Sequence, residues 1–193
     1  MLIYLWLGLA VFLGVHSSRL LADSWRSRCV ERIGRASWKG LYSAVSLAGF
    51  VLIVWGYGVA RQQPVQLWNP PEGMPYLAAL LTWLAFVLLA ATYIPRNHFK
   101  ARLHHPMLLA TKLWALAHLL ANGTLAGAWL FGSFLLWAVV MFASSRRRDR
   151  REGVHCSPSL LSRSLASVLV GTLAWFAFAF ALHGLLIGIL PLS

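Results

Sequence analysis

Acidic side chains are scarce in this chain. Five aspartates and glutamates stand against 17 lysines and arginines among 193 residues. None of the five (Asp23, Glu31, Glu72, Asp149, Glu152) falls inside an apolar run. Intramembrane proton relays are built on such carboxylates, so a proton-coupled transporter is disfavoured. Cysteine is nearly absent too. Cys29 and Cys156 are isolated from each other, which excludes Cys-x-x-Cys-His attachment of a c-type haem and offers no thiolate metal motif. Both lie in basic stretches expected to face a reducing compartment, where a disulfide is not expected. The N-terminal segment lacks a basic leader region and a small-residue cleavage site, so it reads as a retained first helix rather than a signal peptide.

What fills the chain is apolar. Hydrophobic residues make up 59%, charged residues 11%, and the mean hydropathy is +0.67. Six apolar runs, over 2–21, 41–60, 76–94, 106–121, 125–143 and 165–190, approach the roughly 20 residues that cross a bilayer. The expected fold is all-α: a polytopic membrane helical bundle of about six transmembrane helices, in one domain over residues 1–193. Glycines 49, 56 and 58 are placed to let helices approach closely. The proline-rich connection 61–75 is expected to be irregular, Pro95 to stop the third helix and Pro106 to open the fourth. The stretch 19–40 is long enough to contain a short interfacial helix.

The formal charge of +12 does not point to nucleic acid, because its basic residues form short clusters between apolar runs. Every lysine and arginine except Arg61 and Lys112 lies in the first, third or fifth connection. The positive-inside rule puts those connections in the cytoplasm, against an anionic leaflet, and both termini outside. The lipid bilayer is the first partner the sequence implies.

One apolar run carries unusual freight. Residues 104–123 place His105, Lys112, His118 and Asn122 on or beside the fourth helix, and such groups inside a membrane are costly and mark sites. At about 100° per residue, His105 and Lys112 share a face near the cytoplasmic end, while His118 points about 140° away. With His16 and His183 in other spans, the chain offers several embedded imidazoles. Two neutral imidazoles from different helices suit haem b as axial ligands. Lys112 would then meet a propionate, and Trp6, Trp114 and Trp137 would pack the ring. The structural alternatives are hydrogen bonds from each histidine to a backbone carbonyl, and a snorkelling or carbonyl-bound Lys112. His98, His104 and His155 are expected among lipid headgroups, and the tryptophans at 38, 55, 68 and 83 at the membrane interface.

The segment His-Pro-Met-Leu-Leu-Ala-Thr-Lys-Leu-Trp-Ala-Leu-Ala-His-Leu-Leu-Ala-Asn-Gly over 105–123 closely resembles the signature of the NnrU family. Gly14-Val15-His16-Ser17-Ser18-Arg19 and the terminal His183-Gly184-Leu-Leu-Ile-Gly188 resemble the same family, so the likeness spans essentially the whole chain. It implies a bacterial inner-membrane protein associated with denitrification, with nitrite or nitric oxide reductase components as partners. The family is similar in turn to 15-cis-zeta-carotene isomerase, a membrane haem b enzyme. Carried over by motif, its axial histidines fall on His16 and His118, and its His-Pro histidine on His105. His105, Lys112 and His183 would be supporting or alternative ligands. Where the isomerase has a cysteine three residues before the second histidine, this chain has Ala115, which argues against a redox-switched isomerisation. His16 lies nearer the cytoplasmic face and His118 nearer the outer one, so His118 with His183 is the alternative pair. A looser likeness of Arg102-Leu-His104-His105-Pro106 and Arg150-Arg151-Glu152 to membrane methyltransferases implies S-adenosylmethionine binding as the competing reading. No catalytic group is assigned.

Overall fold

The computed structural model describes residues 2–154 and 158–189, and these are helical almost throughout. In chain order the elements are α1 (Ile3–His16), α2 (Ser18–Leu21), α3 (Asp23–Ala60), α4 (Met74–Tyr93), α5 (His98–Leu103), α6 (Pro106–Ala121) and α7 (Leu125–Glu152). A last run follows as α8 (Leu161–Ala177), a π-helical turn (Phe178–Leu182) and α9 (His183–Ile187). The protein is a helical membrane bundle, as expected. Among the described residues, four helical runs are long and apolar enough to cross a bilayer: α3, α4, α7 and the continuous Leu161–Ile187. The other two apolar helices are shorter. α1 has 14 residues and α6 has 16, or about 21 and 24 Å of helix at 1.5 Å per residue.

Hydropathy locates these elements well and their ends less well. The expected 106–121 is found for α6, and α4 starts and stops within two residues of expectation. By contrast, α3 begins at Asp23 and α7 runs on to Glu152. Both extensions carry arginines, which are good helix formers, so the helix continues where the apolar run ends. Within α3, Gly34 (φ 81, ψ 159) breaks the helical path. That region of backbone space is essentially reserved for glycine. The first run is interrupted at Ser17, which itself stays in right-handed helical geometry (φ −89, ψ −2), and the chain leaves the helical path at Ala22 (φ −146, ψ 43).

The chain folds into two compact units. The first takes the chain up to Trp68 together with Thr124–Ser133, and the second takes Asn69–Gly123 with the chain from Phe134 onward. In the first unit α1 lies directly on α3. A Cβ at Gly8 would sit 2.6 Å from Ile53 N, one at Gly49 would sit 2.8 Å from Phe12 N, and one at Gly56 would strike Leu5 N. Close backbone approach is therefore the use of two of the three glycines expected for it. A Cβ at Gly58 would meet nothing within 4 Å. The start of α7 is held by Leu125 N–H donating to Val65 O (2.8 Å) and by edge-on contacts of Trp129 with Trp6 and of Phe131 with Tyr57.

In the second unit α4 packs against both α6 and α8. Two reciprocal bonds tie α4 to α8: Trp83 Nε1 donates to Thr172 Oγ1 (2.9 Å), and Trp175 Nε1 to Thr82 Oγ1 (3.1 Å). Gly171 lies against the backbone of Val87. Small residues line the α6 contact, with Ala85, Leu88 and Ala110 buried beneath Leu113 and Trp114. After Pro95, the fully buried Asn97 donates to Ala91 O and Ile94 O and accepts from Lys100 N–H, which closes α4 and caps α5.

Candidate functional site

The site is built on α6, whose start is dictated locally. Proline disfavours helical geometry in the residue before it, and His105 accordingly leaves the helical region (φ −121, ψ 65). His104 adopts a positive φ of 64. This double break separates α5 from α6 and turns both imidazoles toward the far end of α7. There Asp149 Oδ2 lies 2.8 Å from His105 Nε2 and 3.4 Å from His104 Nδ1, with its side chain only 12% exposed. A carboxylate only accepts, so Nε2 of His105 carries the proton that bonds to it.

One heptad deeper the same two helices meet again. Lys112 Nζ stands 4.0 Å from the centroid of the Phe142 ring, a cation–π contact that offsets part of the cost of a charge in an apolar helix. Trp114 then meets Phe134 edge-on at 5.4 Å. His105 and Lys112 do share a face, as their spacing requires, and that face is turned to α7.

His118 is arranged differently. Its Nδ1 lies 2.9 Å from Trp114 O on its own helix, and its ring is 5.3 Å from the Trp114 ring. The bond partner is a carbonyl, so Nδ1 must donate and the neutral ring carries its lone pair on Nε2. Asn122 Nδ2 donates to His118 O (2.9 Å), anchoring the end of the helix. The same arrangement recurs at the other two embedded histidines. His16 Nδ1 bonds Phe12 O (2.7 Å) while its ring stacks on Phe12 at 4.2 Å, with Tyr42 at 5.4 Å. His183, directly after the π-helical turn, bonds Ile189 O through Nδ1 (2.6 Å). A metal-ligating histidine commonly donates its other ring N–H to just such an acceptor, which sets both the tautomer and the ring orientation.

The second unit therefore holds His105, Lys112, His118 and His183. His16 belongs to the first unit. The chemistry sorts the five candidates. His16, His118 and His183 present Nε2 as the lone-pair nitrogen, whereas His105 directs Nε2 to Asp149 and Lys112 is engaged with Phe142. Among the described residues no group of three or more His, Cys, Asp or Glu side chains is assembled to hold a metal ion.

Asp149 is the member of the cluster that sequence reasoning missed. Its signal was a lone acid in a run of five arginines, disguised by the expectation that the helix ends at residue 143. His104 is drawn to Asp149, and His98 Nδ1 lies 2.8 Å from the buried Ser164 hydroxyl. His155, also expected near headgroups, lies outside the described residues.

Residues 4–191 match the family described as NnrU protein. The chain belongs to the NnrU family. Comparison with curated proteins and with solved structures returns no match. Family membership spans both units, so the His-Pro segment on α6, His16 on α1 and His183 on α9 all lie inside the matched region.

Proposed function

We propose that this NnrU-family membrane protein binds haem b through His118 and serves respiratory nitrogen-oxide reduction, in electron or haem handling or in nitric oxide sensing. The observation that carries the reading is the Nδ1 bond from His118 to Trp114 O, which leaves Nε2 as the ligating nitrogen in an apolar helix. When bound, the haem would supply a redox-active iron able to take a small gaseous ligand. The protein's own part is to hold the imidazole at its working tautomer and to exclude water with Trp114 and the surrounding apolar side chains. The sequence resemblance names His16 as the second axial ligand, and His183, in the same unit as His118, is the other candidate. Lys112 and His105, on the α7 face, would be supporting or alternative ligands. The protein would sit in the bacterial inner membrane with its basic segments cytoplasmic and both termini outside, working beside nitrite or nitric oxide reductase components.

The test is an oxidised and a reduced visible spectrum of the detergent-purified protein, beside H16A and H183A. A bis-histidine haem gives a sharp Soret band, with α and β bands on reduction. The variant that converts it to a high-spin spectrum identifies the second ligand. Unchanged spectra in both variants would refute the bis-histidine assignment.

A further inference from the structure

We propose that the start of α3, residues 23–33, is an interfacial helix that seats on an anionic phospholipid leaflet. The inference is independent of the haem reading. α3 buries no residue before Gly49, and in this stretch only Arg26, Ser27, Cys29 and Val30 are half-buried. Trp25 is 52% exposed and Ile33 45%, and with Cys29 between them at four-residue spacing they form one apolar stripe. Arg28 and Arg32 flank that stripe, each one turn from the other. Only Asp23 and Glu31 oppose the basic residues here, and Asp23 is already paired with Arg26 at 3.5 Å.

The backbone fixes how the stripe is presented. The Gly34 break separates this basic helix from the apolar part of α3 that crosses the bilayer. Across the break Trp25 meets Trp38 edge-on, with ring centroids 5.7 Å apart. Two tryptophans are thereby held together at the boundary between the basic and apolar parts of α3, the level at which indoles anchor in membranes. An exposed apolar stripe edged by arginines is the pattern of a helix lying in the headgroup plane. Residues 19–39 as a whole carry six arginines and lysines against two acids, and that excess of positive charge selects anionic lipid as the occupant.

The test uses the full chain carrying C156S, with a spin label on native Cys29, in nanodiscs of phosphatidylcholine alone or mixed with phosphatidylglycerol. In anionic discs the label is expected to be reached by oxygen and shielded from an aqueous nickel chelate, with the seated fraction falling in neutral discs. R28Q and R32Q should each shift the ratio of seated to water-exposed label about fivefold toward water. Three results would overturn the proposal: a water-exposed label in both discs, a seated label indifferent to lipid charge, or a label shielded from both reagents. The last would mean that protein covers the helix.

Discussion

The imidazoles of this protein divide by which ring nitrogen faces the protein. At His118, His16 and His183 a backbone carbonyl accepts from Nδ1, and at His105 a carboxylate accepts from Nε2. In each case the bonded nitrogen is the donor and the other ring nitrogen carries the lone pair, so the four differ in which nitrogen could meet a metal. Asp149 lies against two histidines and is nearly buried, so its removal takes away the acceptor of the His105 Nε2–H bond. D149A is expected to lower stability by about 1–3 kcal/mol, read by thermal unfolding in detergent. The same variant should leave any haem spectrum unchanged. Loss of the Soret band in D149A would move His105 from the tie into the site.

At the scale of elements, the contact between α1 and α3 depends on backbone approach. G49A inserts a methyl group where only 2.8 Å separates it from Phe12 N. It should cost about 1–3 kcal/mol, because a packed interface must open to admit it. G58A meets nothing and should instead stabilise the helix by about 0.5–1 kcal/mol, since alanine favours helix over glycine. Thermal unfolding of the pair side by side checks both signs. Legibility divides along the same line. The spans were readable because lipid demands apolar runs of fixed length, and α6 was readable to the residue because Pro106 and Asn122 mark its ends. The extensions of α3 and α7 were not, since hydropathy reports where lipid stops and not where the helix stops. The His118 and His183 environments were foreseen as embedded imidazoles. Carbonyl bonding and ligation are compatible at these rings, because a carbonyl on Nδ1 places the lone pair on Nε2. The Asp149 cluster was hidden because its members are 44 residues apart and lie in stretches read as loops.

Taken whole, the chain sets its apolar helices between three basic segments, and the proposed orientation rests on that asymmetry. An alkaline phosphatase fused to the C-terminus is expected to be active in bacterial cells, and a fusion within the arginine run after α7 inactive. The reverse pattern would invert the topology. The central claim concerns what the embedded histidines hold, and a pyridine haemochrome assay on the wild type and H118A, purified from haem-replete cells, addresses it most directly. The account predicts about one b-type haem per chain in the wild type and its loss in a monodisperse H118A. A colourless wild-type protein, or an H118A variant that keeps its haem, would contradict it.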